Sequence, residues 1–196
     1  MLQETLKNHN IILASGSPRR QQFLKDLEIN FQIQIQPVEE VYPDHLKAEE
    51  ITNYLSELKA NAFKPLLQPN DILITSDTIV WHNHNALGKP QSAEHAKLMI
   101  ASLSNDWHEV ISSVSFTTKN EQITKHYTTR VHFKELTFDE IDYYVNTFNP
   151  LDKAGAYGIQ EWIGLIGIDK IEGSYFNVVG LPTHIVYETL IALTKR

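Results

Sequence analysis

Five short stretches of this 196-residue chain combine residue types and spacing that could do chemistry. The first is "IILASGSPRR", in which Ser17 stands as a helix N-cap, Pro18 takes the first helical position, and Arg19 and Arg20 follow at once. A helix N-terminus already presents positive charge, so paired cations are unfavourable there unless something negative is held. Gly16 would let a phosphate or carboxylate approach the main chain closely, and the turn's N–H groups would meet it. Adjacent helical positions point about 100° apart, so the two guanidinium groups would reach different parts of one ligand. The same residues also read as an ordinary capped helix with solvated arginines, and the motif alone does not decide between the two.

Asp77 follows the aliphatic run of "DILITSDTIV", where α/β enzymes tend to place ligand-binding groups. A carboxylate there can bind a divalent cation or take a proton from water, or merely cap a local turn. Lys59, at the margin of its helix's apolar stripe, either reaches a phosphate or snorkels to water. Lys89, in "LGKP", reads by itself as an exposed turn lysine, and Glu39 and Glu40 read as a solvated acidic pair or a source of one metal-binding carboxylate. His82 and His84 in "HNHN" lack a third ligand of matching spacing, so a zinc site is rejected. In "DKAGAYGIQ" the small residues permit close approach to a flat ligand, and Gln160 offers both a donor and an acceptor. Asn177 and Gly180–Leu181–Pro182 form a second special loop in "GSYFNVVGLP".

The elements that must carry these residues follow from periodicity. "NIILASGS" reads as a short buried strand running into a turn, followed by a helix with Phe23, Leu24 and Leu27 inward. "FQIQIQ" alternates, which places Phe31, Ile33 and Ile35 on one strand face. Ile51, Leu55, Leu58 and Ala62 recur at helical spacing. Ser92 caps a helix whose inner face is Ala96, Met99, Ile100 and Leu103. Residues 109–119 and 122–135 read as two strands joined through "KNEQ". Thr137 and Glu140 form a capping box ahead of Ile141, Tyr144, Val145 and Phe148. A β-like run follows Gln160, and "GLPTHIVYETLIAL" is a helix with Pro182 near its start. Strand–helix alternation, then a hairpin, then helices, argues for an α/β fold with a mixed sheet. No linker-like composition divides the chain, so residues 1–196 read as one domain.

Composition narrows the functional classes. Seventeen Lys and Arg against 24 Asp and Glu give 17 − 24 = −7, a poor balance for gripping long nucleic acids through their phosphates. A few local cations could still hold one small anion. The absence of cysteine removes disulfides, thiolate catalysis and Cys-ligated zinc. The polar start "MLQETLKNHN" and the lack of any long apolar run predict no leader, no membrane association and a cytoplasmic location.

Taken together, "LASGSPRR", "SDTIV", "GKP", "DKAGAYGIQ" and "GSYFNVVGLP", in this order, resemble the Maf family of nucleotide pyrophosphatases, over nearly the whole chain from about Ile11 to Leu190. The resemblance implies a mixed twisted sheet flanked by helices, in two lobes with a central cleft. It implies hydrolysis of a nucleoside triphosphate to the monophosphate plus pyrophosphate, assisted by Mg²⁺ or Mn²⁺. Carried over by position, Asp77 matches the catalytic base, with metal ligation as the competing role. Arg20, Lys59 and Lys89 match phosphate-binding cations, Ser15 and Ser17 lie in the turn beside them, and Glu40 stands on the metal side.

Two groups are expected within the family, one acting on dTTP and UTP and one on 7-methyl-GTP. Arg19, Thr78 and Gln160 match the first, where the second has Trp, Gln and Glu. A neutral Gln amide suits a neutral pyrimidine, whereas a cationic methylated purine suits an aromatic platform and a carboxylate. The rival readings are the same hydrolysis with 7-methyl-GTP preference, and a nucleotide-sensing regulator of septum formation without turnover. The resemblance also implies a homodimer.

Overall fold

The structure is a computed structural model that describes residues 2–195. Its first strand, β1 (Asn10–Leu13), is an aliphatic run buried at Ile11, Ile12 and Leu13. The chain then turns into α2 (Pro18–Asp26), capped as expected: the Ser17 hydroxyl accepts from the Arg20 N–H, and Pro18 opens the helix. A short helix, α1 (Leu2–Thr5), precedes β1 and buries Leu2.

The expected strand after α2 is shorter than its alternation. β2 (Phe31–Ile33) pairs with β1 over three residues, and Ile33 and Ile35 are 48% and 64% exposed. β2 is an edge strand: Phe31 packs against the margin of a core, and Ile33 and Ile35 beyond it do not. The inner face of α3 (Glu49–Asn61) also differs from the expected stripe. Ile51, Thr52, Leu55, Ser56 and Ala60 are buried, Leu58 is half-buried and Ala62 is exposed. Two hydroxyl residues thus take positions where an amphipathic pattern looks for aliphatics.

β3 (Asp71–His82) is a long, nearly fully buried strand, and it turns back as a hairpin into β4 (Asn85–Leu87). Asn83 and His84 both adopt positive φ, at 48° and 62°, as a two-residue hairpin turn requires. Ser92 caps α4 (Ala93–Leu103), whose buried face is the expected Ala96, Met99, Ile100 and Leu103. β5 (Trp107–Thr117) and β6 (Gln122–Phe133) form the expected pair. The capping box at Thr137 and Glu140 is present at the start of α5 (Phe138–Phe148).

The run after Gln160 is not a strand at first. It forms α6 (Trp162–Gly167) and only then β7 (Ile168–Glu172). Two further helices follow, α7 (Tyr175–Val179) and α8 (Thr183–Thr194). The strands make one mixed sheet in the order β2-β1-β3-β5-β6-β7, with β4 paired to β3. β1 runs parallel to both β2 and β3, while β3–β4 and β6–β7 are antiparallel.

Contacts divide the chain into two compact units, and β3, β5 and β6 each contribute residues to both. The first unit holds the residues up to Asp77, Ser112–Tyr127 and the chain from Gly180 onward. On one face of its strands, Leu13, Ile72, Ile74, Val114 and Phe116 pack with Leu24 of α2, with Leu181 in the loop before α8, and with Val186 and Leu190 of α8. Each such side chain contributes about 1.5–3 kcal/mol on burial. On the other face a small apolar cluster of Ile12, Leu73, Ala60, Phe63 and Leu67 adjoins a buried layer of hydroxyls beneath α3. The second unit packs α4 and α5 with Val131 and Phe133 of β6 and Tyr157 around its own core.

Candidate active site

The turn after β1 is tied to itself. Ser17 N–H donates to the Ser15 hydroxyl at 3.2 Å, and the Gln21 side chain donates to the Ser15 carbonyl at 3.2 Å. Ser15 is buried and Ser17 half-buried, so both hydroxyls help to shape the loop. A methyl group built on Gly16 meets nothing nearer than Ile35 Cδ1 at 3.5 Å, which is ordinary contact. The fold therefore does not itself demand glycine there, whereas a ligand approaching the main chain would.

Arg20 sits more deeply in the structure than a solvated guanidinium would. Its Nη1 donates to the Ser76 carbonyl at 2.8 Å and its Nε to the Gly180 carbonyl at 2.9 Å. These bonds join the first turn of α2 to β3, one residue before Asp77, and to the loop entering α8. Burial pulls the Arg20 pKa below arginine's usual value. Asp77 opposes that shift, Arg19 adds to it and Glu40 opposes it. The guanidinium thus shares a field with Asp77, Glu40 and Arg19.

Lys59 links the two candidate carboxylates. Its Nζ lies 2.7 Å from Asp77 Oδ1 and 3.1 Å from Glu40 Oε2. Asp77 is buried, whereas the Glu40 side chain is 53% exposed on an irregular segment. The helix α3 delivers Lys59 because the buried positions Leu55, Ser56 and Ala60 leave residue 59 at the edge of the packed face. The neighbouring strand delivers Asp77 on the same face as Leu73 and Thr75, by the two-residue alternation of β3.

Of the residues expected from sequence, the first unit thus bonds Ser15, Ser17 and Arg20 in one turn and Glu40, Lys59 and Asp77 in one ion-paired set, with Arg20 coupled electrostatically to Asp77, Glu40 and Arg19. Thr78 follows Asp77 on β3 and is half-buried. Lys89 and Gln160 belong to the second unit and are both exposed. Their loops touch through a bond from Gly155 N–H to the Gly88 carbonyl at 3.1 Å. His82, set aside as a zinc ligand, bonds Asp106 at 3.0 Å.

Oxygen donors from Glu40 and Asp77 suit a hard cation such as Mg²⁺ or Mn²⁺, which commonly takes one or two carboxylates plus waters and substrate phosphates. Their shared hold on a single ammonium shows that the pair can converge on one positive charge. Among the described residues no group of three His, Cys, Asp or Glu side chains could hold a metal by itself.

Some participants were not foreseen. The carbonyl partners of Arg20 carry no side-chain signal. The buried Lys153 binds Glu161 Oε1 at 3.1 Å and Asp152 at 2.7 Å, while the Tyr144 hydroxyl donates to Glu161 and accepts from Gly158 N–H. This network fixes the loop that ends in Gln160. The motif quoted for small residues already contained Lys153, but its burial and its pairing with Glu161 belong to the folded loop and not to the spacing.

Comparison with known proteins places the chain. The family model described as Maf-like protein matches residues 10–193. A protein of Christiangramia forsetii named dTTP/UTP pyrophosphatase is 64% identical over 190 residues, covering 97% of each chain. A protein of the same name from Flavobacterium johnsoniae is 59% identical, over 98% of this chain and 100% of the relative. Among solved structures, the Staphylococcus aureus Ham1 protein aligns with a TM-score of 0.49 at 17% identity, over 92% of this chain and 99% of that one. With its motifs on the elements described above and the family model spanning almost its full length, the chain belongs to the Maf family.

Proposed function

We propose that this chain hydrolyses dTTP and UTP to the nucleoside monophosphate and pyrophosphate. The observation that carries the reading is the pair of carboxylates, Asp77 and Glu40, joined through the Lys59 ammonium, with the buried Arg20 guanidinium in the same electrostatic field. The names and high identity of the relatives from C. forsetii and F. johnsoniae support the choice of nucleotide.

In the reaction, a water oxygen attacks the α-phosphorus and the α–β bridging P–O bond breaks, with pyrophosphate leaving. With Asp77 Oδ1 held by Lys59, Oδ2 takes the water's proton, which is worth about 10²–10⁴-fold. Lys59, Arg20 and Lys89 hold the triphosphate and stabilise the charge that grows on the departing pyrophosphate. Ser15 and Ser17 shape the turn that presents main-chain N–H groups to it. Glu40 would hold Mg²⁺ or Mn²⁺, joined by Asp77 where metal ligation, the competing role, replaces its action as base; the cation would neutralise phosphate charge and polarise the P–O bonds. Arg19, Thr78 and Gln160 select the base, the Gln amide matching the N–H and carbonyls of a neutral pyrimidine; modified pyrimidine triphosphates fit the same recognition.

The test is pyrophosphate release by the purified chain with Mg²⁺ or Mn²⁺ from dTTP, UTP, CTP, dITP and 7-methyl-GTP, each tried alone. Preferential release from dTTP and UTP is expected. Release only from 7-methyl-GTP would overturn the choice of base, and binding without release from any of them would favour a sensor.

A further inference from the structure

The interface between α3 and the strands beneath it is built from hydroxyls where helix–sheet packing ordinarily uses aliphatic groups. Thr52, Ser56, Thr75, Ser113 and Ser115 are each 0% exposed. They are bonded to one another or to the helix backbone. The Thr75 hydroxyl donates to the Ser56 carbonyl at 2.7 Å, Ser56 Oγ meets Ser115 Oγ at 2.9 Å, and Thr52 Oγ1 meets Ser113 Oγ at 2.6 Å. Replacing such buried pairs by apolar groups of the same shape is often neutral or stabilising, so stability alone does not explain them. What hydrogen bonds add is direction: an aliphatic interface tolerates small slides and rolls of a helix, while a set of 2.6–2.9 Å bonds does not.

Lys59 lies three residues beyond Ser56 on α3, and Asp77 two residues beyond Thr75 on β3. The bond from Thr75 to Ser56 is therefore the rung directly below the Lys59–Asp77 pair, on the same helix and the same strand face. We propose that Thr75, acting with Ser56 and Ser115, is a positioning residue that holds Lys59 at bonding distance from Asp77 for turnover. The inference rests on the function proposed above and adds to it a group that touches neither substrate nor metal.

Thr75→Val removes the hydroxyl while keeping the branched shape. The Ser56 carbonyl retains its own helical amide, so no acceptor is orphaned and the variant is expected to fold. A displacement on the order of 1 Å in a reacting group can cost 10²-fold, and partial loosening is expected to lower kcat for dTTP about tenfold, with KM changed less than about twofold. Thr75→Ser restores the donor and should recover most of kcat. In a Lys59→Ala background, Thr75→Val should have little further effect on the residual rate, since there is no ammonium left to place.

An unchanged kcat in Thr75→Val, with a wild-type chain that releases pyrophosphate, would overturn this inference alone, as would the same fold-loss in the Lys59→Ala background. If Thr75→Val does not fold, Ser115→Ala carries the test: a drop in kcat of about threefold or more supports the inference and no drop overturns it. A wild-type chain without pyrophosphate release from either nucleotide overturns both this inference and the function on which it rests.

Discussion

Lys59 is the residue through which both carboxylates are held, and its removal separates electrostatics from fold. In Lys59→Met the buried Asp77 carboxylate loses the ammonium 2.7 Å away. Stranding a buried charge costs about 3 kcal/mol, to be read as a lowered urea midpoint. Asp77→Asn removes the charge instead, so it should leave the midpoint closer to wild type. Arg20→Ala acts differently. It deletes the donors to the Ser76 and Gly180 carbonyls as well as the proposed phosphate contact, so it should weaken binding of every triphosphate alike and also lower the melting temperature. Gln160→Glu, on an exposed side chain, should leave stability unchanged and damage mainly the preference for pyrimidines. Nucleotide titrations followed by melting curves distinguish the two patterns. Equal loss across bases for both variants would contradict the division of roles.

Elements with strong local signals were legible from sequence alone. The Ser17 cap, the Ser92 helix with its four buried residues and the Thr137–Glu140 capping box all depend on neighbours within one turn. What was illegible depends on tertiary partners. The alternation at Phe31–Ile35 promised a buried face, but β2 lies at the sheet edge; "EWIGLIGI" became a helix and then a strand once packed. The hydroxyls under α3 were hidden because serine and threonine read as polar, and only the fold reveals that they are buried together. The same limit applies to Gly155, where φ is 66° and an added Cβ would lie 2.6 Å from Val80 Cγ2. Gly155→Ala combines a left-handed backbone with that clash, so it should cost about 2 kcal/mol or more, measurable by urea denaturation.

Acid sensitivity belongs to the molecule as a whole, because it sums groups that the folded chain protects from protons. His108 is buried, its Nε2 2.7 Å from the Tyr157 hydroxyl. Burial, then the nearby His82, pulls its pKa from 6.5 to about 3, with Asp106 opposing and His132 adding slightly. The unfolded chain therefore binds a proton near pH 6.5 that the folded chain refuses until about pH 3. Stability from this group is intact above pH 6.5 and falls as the pH drops through that window. The carboxylates of Asp106 and Asp169, held below their usual range by bonds to His82 and His132, lose their contribution only at lower pH. His108→Leu should therefore flatten the dependence of melting temperature on pH just below 6.5, and an unaltered slope would contradict the assignment. The net charge of −7 makes the chain as a whole repel polyanions, which leaves the local cations of the first unit to draw in a triphosphate. The most direct measurement compares the wild-type chain with Asp77→Asn for both dTTP affinity and pyrophosphate release in the presence of Mg²⁺. Retained affinity with release reduced by about 10²-fold or more is the expected result. Undiminished release from Asp77→Asn would show that the bonded group around Lys59 is not where the phosphate bond is broken.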